Sequence, residues 1–244
     1  MIYTIPFSLN DGTEKGPESI VQEVKKLLTQ AQANDLRIKT VPIDLNQIQQ
    51  VLTDTKERAL ILGGSHIITL HTVKAFVQQH PGAGVVFLDA HPDALRSYAG
   101  QQDVIRGIVT EKLIPSEKII LIGLRHIQPE EQEFFQMYPG IKAYTMDRIF
   151  DLGLQEVCDL IMEQIRQWPS FYLSIDMDVI DPAFAPGVTE PVPGGLQSRE
   201  LLYLVKRFCM LRNRGWSDIC EVNPTKDMNA ITIKLAAKVA QYLI

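Results

Sequence analysis

The stretch Gly84-Val85-Val86-Phe87-Leu88-Asp89-Ala90-His91-Pro92-Asp93 passes from an unbroken apolar run straight into alternating acidic and imidazole side chains. An apolar run of this length, without polar alternation, fits a strand covered on both faces, as in the interior of a parallel sheet. Ligands of open parallel sheets bind outside the carboxyl ends of the strands. Asp89, His91 and Asp93 therefore stand where chemistry is expected. In extended backbone, residues i, i+2 and i+4 point to one side, so this spacing predicts that the three converge.

The same alternation of apolar run and polar end extends in both directions. The predicted strands are Ile2–Phe7, Arg37–Ile43, Ala59–Gly63, Gly84–Asp89, Lys118–Gly123, Ile141–Thr145, Phe171–Asp176 and Asp218–Val222. Amphipathic helical segments, Pro17–Gln30, Leu70–Gln79, Ser198–Leu211 and Ala230–Leu243, lie between them. In the first, Ile20, Val21, Val24, Leu27 and Leu28 fall on one helical stripe. Strands interleaved with helices argue for one α/β domain over residues 1–244 with a mostly parallel sheet. The Pro- and Gly-rich segment Asp181–Gly195 reads as a shaped surface loop between a strand and a helix.

Composition narrows the function classes. The 244 residues are 45% hydrophobic and 22% charged, with a net charge of −5, ordinary values for a globular chain. No basic block offers a footprint for nucleic acid. No apolar stretch approaches the roughly 18 residues of a membrane span. Met1-Ile2-Tyr3-Thr4-Ile5-Pro6 lacks the basic start of a signal peptide. Three cysteines (Cys158, Cys209, Cys220), without Cys-x-x-Cys spacing, read as reduced thiols. A cytoplasmic protein is expected.

Three more strand ends carry the same chemistry. They are Gly63-Gly64-Ser65-His66, then Asp176-Met177-Asp178, and finally Glu221-Val222-Asn223-Pro224. Six potential ligands (His66, Asp89, His91, Asp93, Asp176, Asp178) and the further carboxylate of Glu221 thus face one edge of the sheet. Four neighbouring aspartates cannot all ionise without cations. Two divalent ions balance them, with His66 and His91 as neutral ligands. Mixed oxygen and nitrogen donors favour Mn²⁺, with Co²⁺, Fe²⁺ or Zn²⁺ as alternatives. Such a pair lowers the pKa of a shared water towards neutrality. Asp181, which precedes Pro182, reads as a turn residue, and His71 and His80 as surface or packing residues.

The motifs Gly63-Gly64-Ser65-His66, Asp89-Ala90-His91-Pro92-Asp93 and Ser174-Ile175-Asp176-Met177-Asp178-Val179-Ile180-Asp181-Pro182, with Glu221-Val222-Asn223-Pro224, resemble those of the ureohydrolase (arginase/agmatinase) family. The resemblance implies a three-layer α/β/α sandwich, a binuclear manganese centre and a homo-oligomer, trimer or hexamer. It implies that His66, Asp89, Asp93 and Asp176 hold one ion, and His91, Asp89, Asp176 and Asp178 the other. It further implies hydroxide attack on a guanidinium carbon, giving urea and an amine. Asp93 orients the hydroxide, and Glu221 holds the guanidinium group through paired N–H bonds.

Three departures bear on the substrate. Ser65 stands where the family usually has Asp. No histidine follows Asp93 where the family's proton shuttle lies; Gly100-Gln101-Gln102-Asp103 occupies that loop, leaving His126 as the candidate acid–base group. Gly123-Leu124-Arg125-His126-Ile127-Gln128 lacks the two acids with which arginases engage an α-amino group, which favours a decarboxylated amine such as agmatine. The alternatives are a formimino- or acylated-amine hydrolase and a weakly catalytic, metal-binding partner subunit. A metallophosphoesterase would need Gly-Asp-x-x-Asp and Gly-Asn-His motifs that the chain lacks.

Overall fold

The computed structural model describes residues 1–9, 11–41, 44–53, 55, 58–96 and 103–244. Its strands and helices alternate in chain order. The strands are β1 (Ile2–Ile5), β2 (Ile38–Thr40), β3 (Leu60–Gly63), β4 (Gly84–Leu88), β5 (Ile119–Leu124), β6 (Lys142–Thr145), β7 (Phe171–Asp176) and β8 (Arg214–Cys220). The helices begin with α1 (Gly16–Leu27), α2 (Gln30–Asp35), α3 (Leu45–Leu52), α4 (Ile68–Gln79) and α5 (Val104–Thr110). They continue with α6 (Pro129–Met137), α7 (Met146–Leu152), α8 (Leu154–Ile165), α9 (Ser198–Cys209) and α10 (Ile231–Leu243).

All eight strands join one parallel sheet in the order β2-β1-β3-β8-β7-β4-β5-β6. The period-two alternation of each strand feeds two separate cores. Val86 and Leu88 of β4, with Ile120 and Ile122 of β5, pack in the core that holds residues of α1, α8, α9 and α10. Val85 and Phe87, with Ile119 and Leu121, enter the opposite core under α3, α4 and α5. The result is the α/β/α sandwich that the resemblance implied. Fully burying each such side chain contributes about 1.5–3 kcal/mol, so both faces of the central strands are apolar for an energetic reason.

The strands that carry the polar ends lie side by side, β3-β8-β7-β4, in the middle of the sheet. Each predicted strand is recovered, with shifted ends; Pro42 and Ile43 of the second prediction lie outside the described residues. The last strand differs most, starting at Arg214 rather than Asp218. Its first residues are polar yet buried: Arg214 donates to Ser217 Oγ at 2.9 Å and to the carbonyl of Leu243 at 3.1 Å. It ends before Glu221, whose φ of 63° no strand can hold.

The helix predicted over Pro17–Gln30 stops at Leu27, because Thr29 caps a new helix with Gln32 in a reciprocal capping box. Among the described residues, no helix is long and apolar enough to cross a membrane. Cys158, Cys209 and Cys220 are all free thiols.

Candidate metal centre

His66 follows β3 in a loop built for close approach. A Cβ on Gly64 would lie 2.1 Å from the carbonyl oxygen of Phe7, so only glycine fits there. Ser65 donates its backbone N–H to that same oxygen at 2.8 Å, and Glu221 donates its own to the carbonyl of Gly64, also at 2.8 Å. These bonds tie the ends of β1, β3 and β8 together beneath the histidine.

Asp89, His91 and Asp93 do converge, but not by the extended alternation expected from their spacing. β4 ends at Leu88, and Asp93 adopts a left-handed φ of 49°. The turn is held from outside: Ala94 donates its N–H to Glu131 Oε1 at 3.0 Å, and Ile105 donates to the carbonyl of Asp93 at 2.9 Å. Glu131 also accepts from Gln128 N at 3.0 Å, so one buried carboxylate joins this turn to the start of α6. Asp176 likewise ends β7, but Asp178 sits on a single 3₁₀ turn, its N–H bonded to Asp176 Oδ1 at 2.8 Å. The correction is the same in both places. Tight turns at the strand ends, rather than continued strand, aim the carboxylates.

The side chains fall into two groups that share Asp89. His66, Asp89 and Asp176 form one, and Asp89, His91 and Asp178 the other, with the donor atoms of each group within 4.8 Å of one another. His66 Nδ1 faces Asp93 Oδ2 at 2.9 Å, Asp89 Oδ2 at 3.2 Å and Asp176 Oδ2 at 3.3 Å. His91 Nδ1 lies 2.7 Å from Asp178 Oδ2. All six side chains are buried.

Their titration is correspondingly distorted. Burial, followed by the charges of Asp178 and Asp93, raises Asp89 to about 8. Burial and the charges of Asp178 and Asp89 likewise push Asp176 well up. Burial opposes charge on His91, but bonding to Asp178 prevails and raises it to about 9. Burial lifts Glu221 to about 7, against the backbone N–H of His66, which donates to its Oε1 at 2.7 Å.

These residues fit divalent cations. Two buried polar atoms at the focus, His66 Nδ1 and Asp93 Oδ2, have no hydrogen-bond partner. Two like charges 4 Å apart repel by about 4 kcal/mol at an effective dielectric of 20, and a bound cation inverts that balance. The donor set, aspartate oxygen with imidazole nitrogen, suits Mn²⁺ and its neighbours in the first transition row.

A narrow cleft opens over the groups, lined also by Asp11, Thr189, Glu190 and Glu221. Asp11, Thr189 and Glu190 were not foreseen. The strand-end rule applied to β1 would have reached Asp11, whereas Thr189 and Glu190 come from the Pro- and Gly-rich loop after β7. Asp181 accepts N–H bonds from Ala183 at 2.9 Å and Gly194 at 2.6 Å, the turn role expected of it. His80 stacks on Phe76, as a packing residue should, with ring centroids 4.4 Å apart. His126 is exposed and packs edge-on against His91, with centroids 5.5 Å apart, without lining the cleft. Gly100, Gln101 and Gln102 lie outside the described residues.

Comparison with known proteins converges on one group. The model of the Arginase family matches residues 1–244. Proclavaminate amidinohydrolase of Streptomyces clavuligerus is 32% identical over 249 residues, covering 96% of this chain and 75% of that protein. Its solved structure superposes with a TM-score of 0.86, at 30% identity, over 99% of this chain and 89% of that one. Formimidoylglutamase of Bacillus subtilis is 32% identical over 74% of this chain, which spans 58% of that protein. The solved structure of that enzyme gives a TM-score of 0.91 at 25% identity, over 99% of this chain and 84% of that one. An arginase of Staphylococcus aureus is 30% identical over 82% of this chain and 73% of its own length.

Proposed function

This chain belongs to the arginase family, and from that premise we propose that residues 1–244 form one domain with a binuclear manganese centre. The domain hydrolyses a guanidino C–N bond, giving urea and an amine, with an agmatine-like substrate. The observation that carries the reading is the pair of His/Asp groups sharing Asp89 beneath a cleft that also presents Glu221. His66, Asp89, Asp93 and Asp176 would hold one ion, and His91, Asp89, Asp176 and Asp178 the other. When bound, such ions supply Lewis acidity and a nucleophilic hydroxide at neutral pH.

The chain's own residues do the rest. Glu221 accepts two parallel N–H bonds from the planar guanidinium and fixes its plane over the groups. Asp93, with its Oδ2 at the focus, orients the attacking water and takes its proton. A C–O bond forms and the C–N bond to the alkylamine breaks; the proton taken by Asp93 passes to the departing nitrogen, and the second proton of the attacking water is released as its oxygen becomes the urea carbonyl. His126 is the one histidine of the five that stands beside the centre without belonging to either group. In this reading it supplies a further proton from beside the cleft, so that the amine departs as an ammonium ion. His126→Ala should lower kcat about 10²-fold with little change in KM, partly restored by added imidazole. An unchanged kcat would remove His126 from the reaction.

The cleft favours a substrate without a carboxylate. Among the described residues, no Lys or Arg lines it, while Asp11 and Glu190 do. Arg125 is turned away, donating to the carbonyls of Val192 at 2.6 Å and Asp178 at 2.7 Å. Arginine and formimidoylglutamate both carry carboxylates, whereas agmatine presents an ammonium group. The Mn²⁺-loaded protein should release urea from agmatine with kcat/KM at least tenfold above that for arginine, guanidinobutyrate or guanidinopropionate. Formamide from a formimino amine, without urea from any guanidino compound, would replace this reading with the formimino one. Two bound metals and no turnover at all would replace it with a binding subunit. The three free thiols support a reducing, cytoplasmic setting. Exposed apolar side chains such as Phe150 and Met210 support a homo-oligomer.

A further inference from the structure

Behind the metal centre, and outside the cleft, Asp218 lies fully buried near the middle of β8. Four donors converge on it. Ser174 Oγ at 2.8 Å and Ile175 N at 3.3 Å reach Oδ1, while Thr69 Oγ1 at 2.7 Å and Tyr172 OH at 2.8 Å reach Oδ2. An ionised carboxylate accepts about four hydrogen bonds and donates none, so this one is saturated. Ser174 Oγ is in turn 2.9 Å from His66 Nε2.

With Asp218 ionised and His66 neutral, as a metal ligand must be, the proton count along this line has one solution. The single hydroxyl proton of Ser174 goes to Asp218, so Ser174 Oγ accepts from His66, and Nε2 carries the ring proton. Nδ1 is then the bare nitrogen of the imidazole. It is the atom without a hydrogen-bond partner, and it faces Asp89, Asp93 and Asp176. A lone pair aimed at three carboxylates is repulsive unless a positive charge lies between them, a proton in the metal-free chain or a metal ion in the loaded one.

We propose that Asp218 is a positioning residue for the metal centre, acting through Ser174 to fix the orientation and tautomer of His66 so that Nδ1 is presented as a ligand. The role rests on the metal-centre reading. Partners of this kind, one bond beyond a ligating histidine, are generally worth 10–100-fold in metal affinity. Here the carboxylate acts one residue further away, and a serine transmits the constraint.

The test is a double-mutant cycle on the full chain. Mn²⁺ binding is measured on chelator-stripped protein, together with thermal unfolding. Ser174→Ala and Asp218→Asn should each weaken Mn²⁺ at the His66 group about 10–100-fold. The double variant should be no more than about threefold weaker than either single one, because both break one line. Thr72→Val supplies the comparison. It removes a buried hydroxyl 2.8 Å from Tyr172 OH, off the line to His66, and should lower the melting temperature while leaving Mn²⁺ affinity unchanged. Additive losses, unchanged affinity in Ser174→Ala, or an equal loss in Thr72→Val would each overturn the role of Asp218 while the metal centre stands. If Asp218→Asn does not fold, the contrast between Ser174→Ala and Thr72→Val decides alone. Failure of the wild-type chain to bind Mn²⁺ would instead remove the metal centre, and this role with it.

Discussion

Asp178→Ala is expected to leave a folded protein that holds one divalent ion per chain instead of two and turns over about 10³-fold more slowly. Asp178 has two tasks. Its Oδ2 anchors His91 Nδ1 at 2.7 Å, and its Oδ1 accepts the backbone N–H of Ala90 at 3.0 Å. Truncation would therefore remove one proposed ligand and free the ring of another, so the group of Asp89, His91 and Asp178 should lose its cation. A Lewis acid is worth several kcal/mol of transition-state stabilisation, and each 1.36 kcal/mol is tenfold in rate.

The fold should survive because two effects oppose each other. Leaving the Ala90 N–H unsatisfied costs about 1–3 kcal/mol. Against this, the charge of Asp178 is among the causes that raise both Asp89 and Asp176, so its removal relieves like-charge repulsion. Elemental analysis and the amine-release assay read the two halves of the prediction. Two metals per chain in the variant would take Asp178 out of the ligand set. Asp178→Asn separates charge from shape: it should retain the Ala90 bond and the fold while still losing most turnover.

Much of this candidate centre is legible in the chain because it is written locally. Val85-Val86-Phe87-Leu88 is apolar on both faces, and the proposed ligands follow within five residues, so strand and candidate site are read in one glance. The same holds for Ser174–Asp178. Polar residues whose partners are distant in sequence stayed hidden. Asp218 is satisfied by Thr69, 149 residues away, and by Tyr172, 46 residues away. Seen in sequence alone, Arg214, Ser217 and Asp218 interrupt an apolar pattern, which is why β8 was begun too late. Backbone turns were misjudged for a related reason. The left-handed conformations of Asp93 and Glu221 follow from bonds made by other loops, such as Ile105 N to the carbonyl of Asp93 and Glu221 N to that of Gly64. No local preference of Asp or Glu announces them, and non-glycine residues held there mark sites where tertiary structure over-determines the backbone.

The second large effect expected is a reversal of pH dependence by metal. In the metal-free chain, Asp89 at about 8 and Glu221 at about 7 keep protons that an unfolded chain has released near pH 4. Asp176 shifts in the same direction. His91 at about 9 keeps a proton that the unfolded chain loses near pH 6.5, and His66 is raised in the same sense. The folded state therefore binds more protons than the unfolded state, the carboxylates from about pH 4 upward and the imidazoles from about pH 6.5 to 9, so stability must fall as pH rises through that range. Asp178 is lowered, and its stabilisation is lost only as pH falls below the ordinary carboxylate range, outside this window. His71 and His80, which burial lowers, act in the opposite sense near pH 6.5 but are outnumbered. Chelator-stripped protein should therefore melt progressively lower as pH rises from 5.5 towards 9. Mn²⁺ binds deprotonated ligands, so its stabilisation must grow with pH. At about 100 times Kd one site contributes about 2.7 kcal/mol, which for a chain of this size is roughly 5–10 °C. Melting curves at pH 5.5, 7.0 and 8.5, with and without Mn²⁺, read both slopes. A metal-free melting temperature that climbs steadily with pH, or a Mn²⁺ shift that ignores pH, would mean that these carboxylates and imidazoles do not share a cation site.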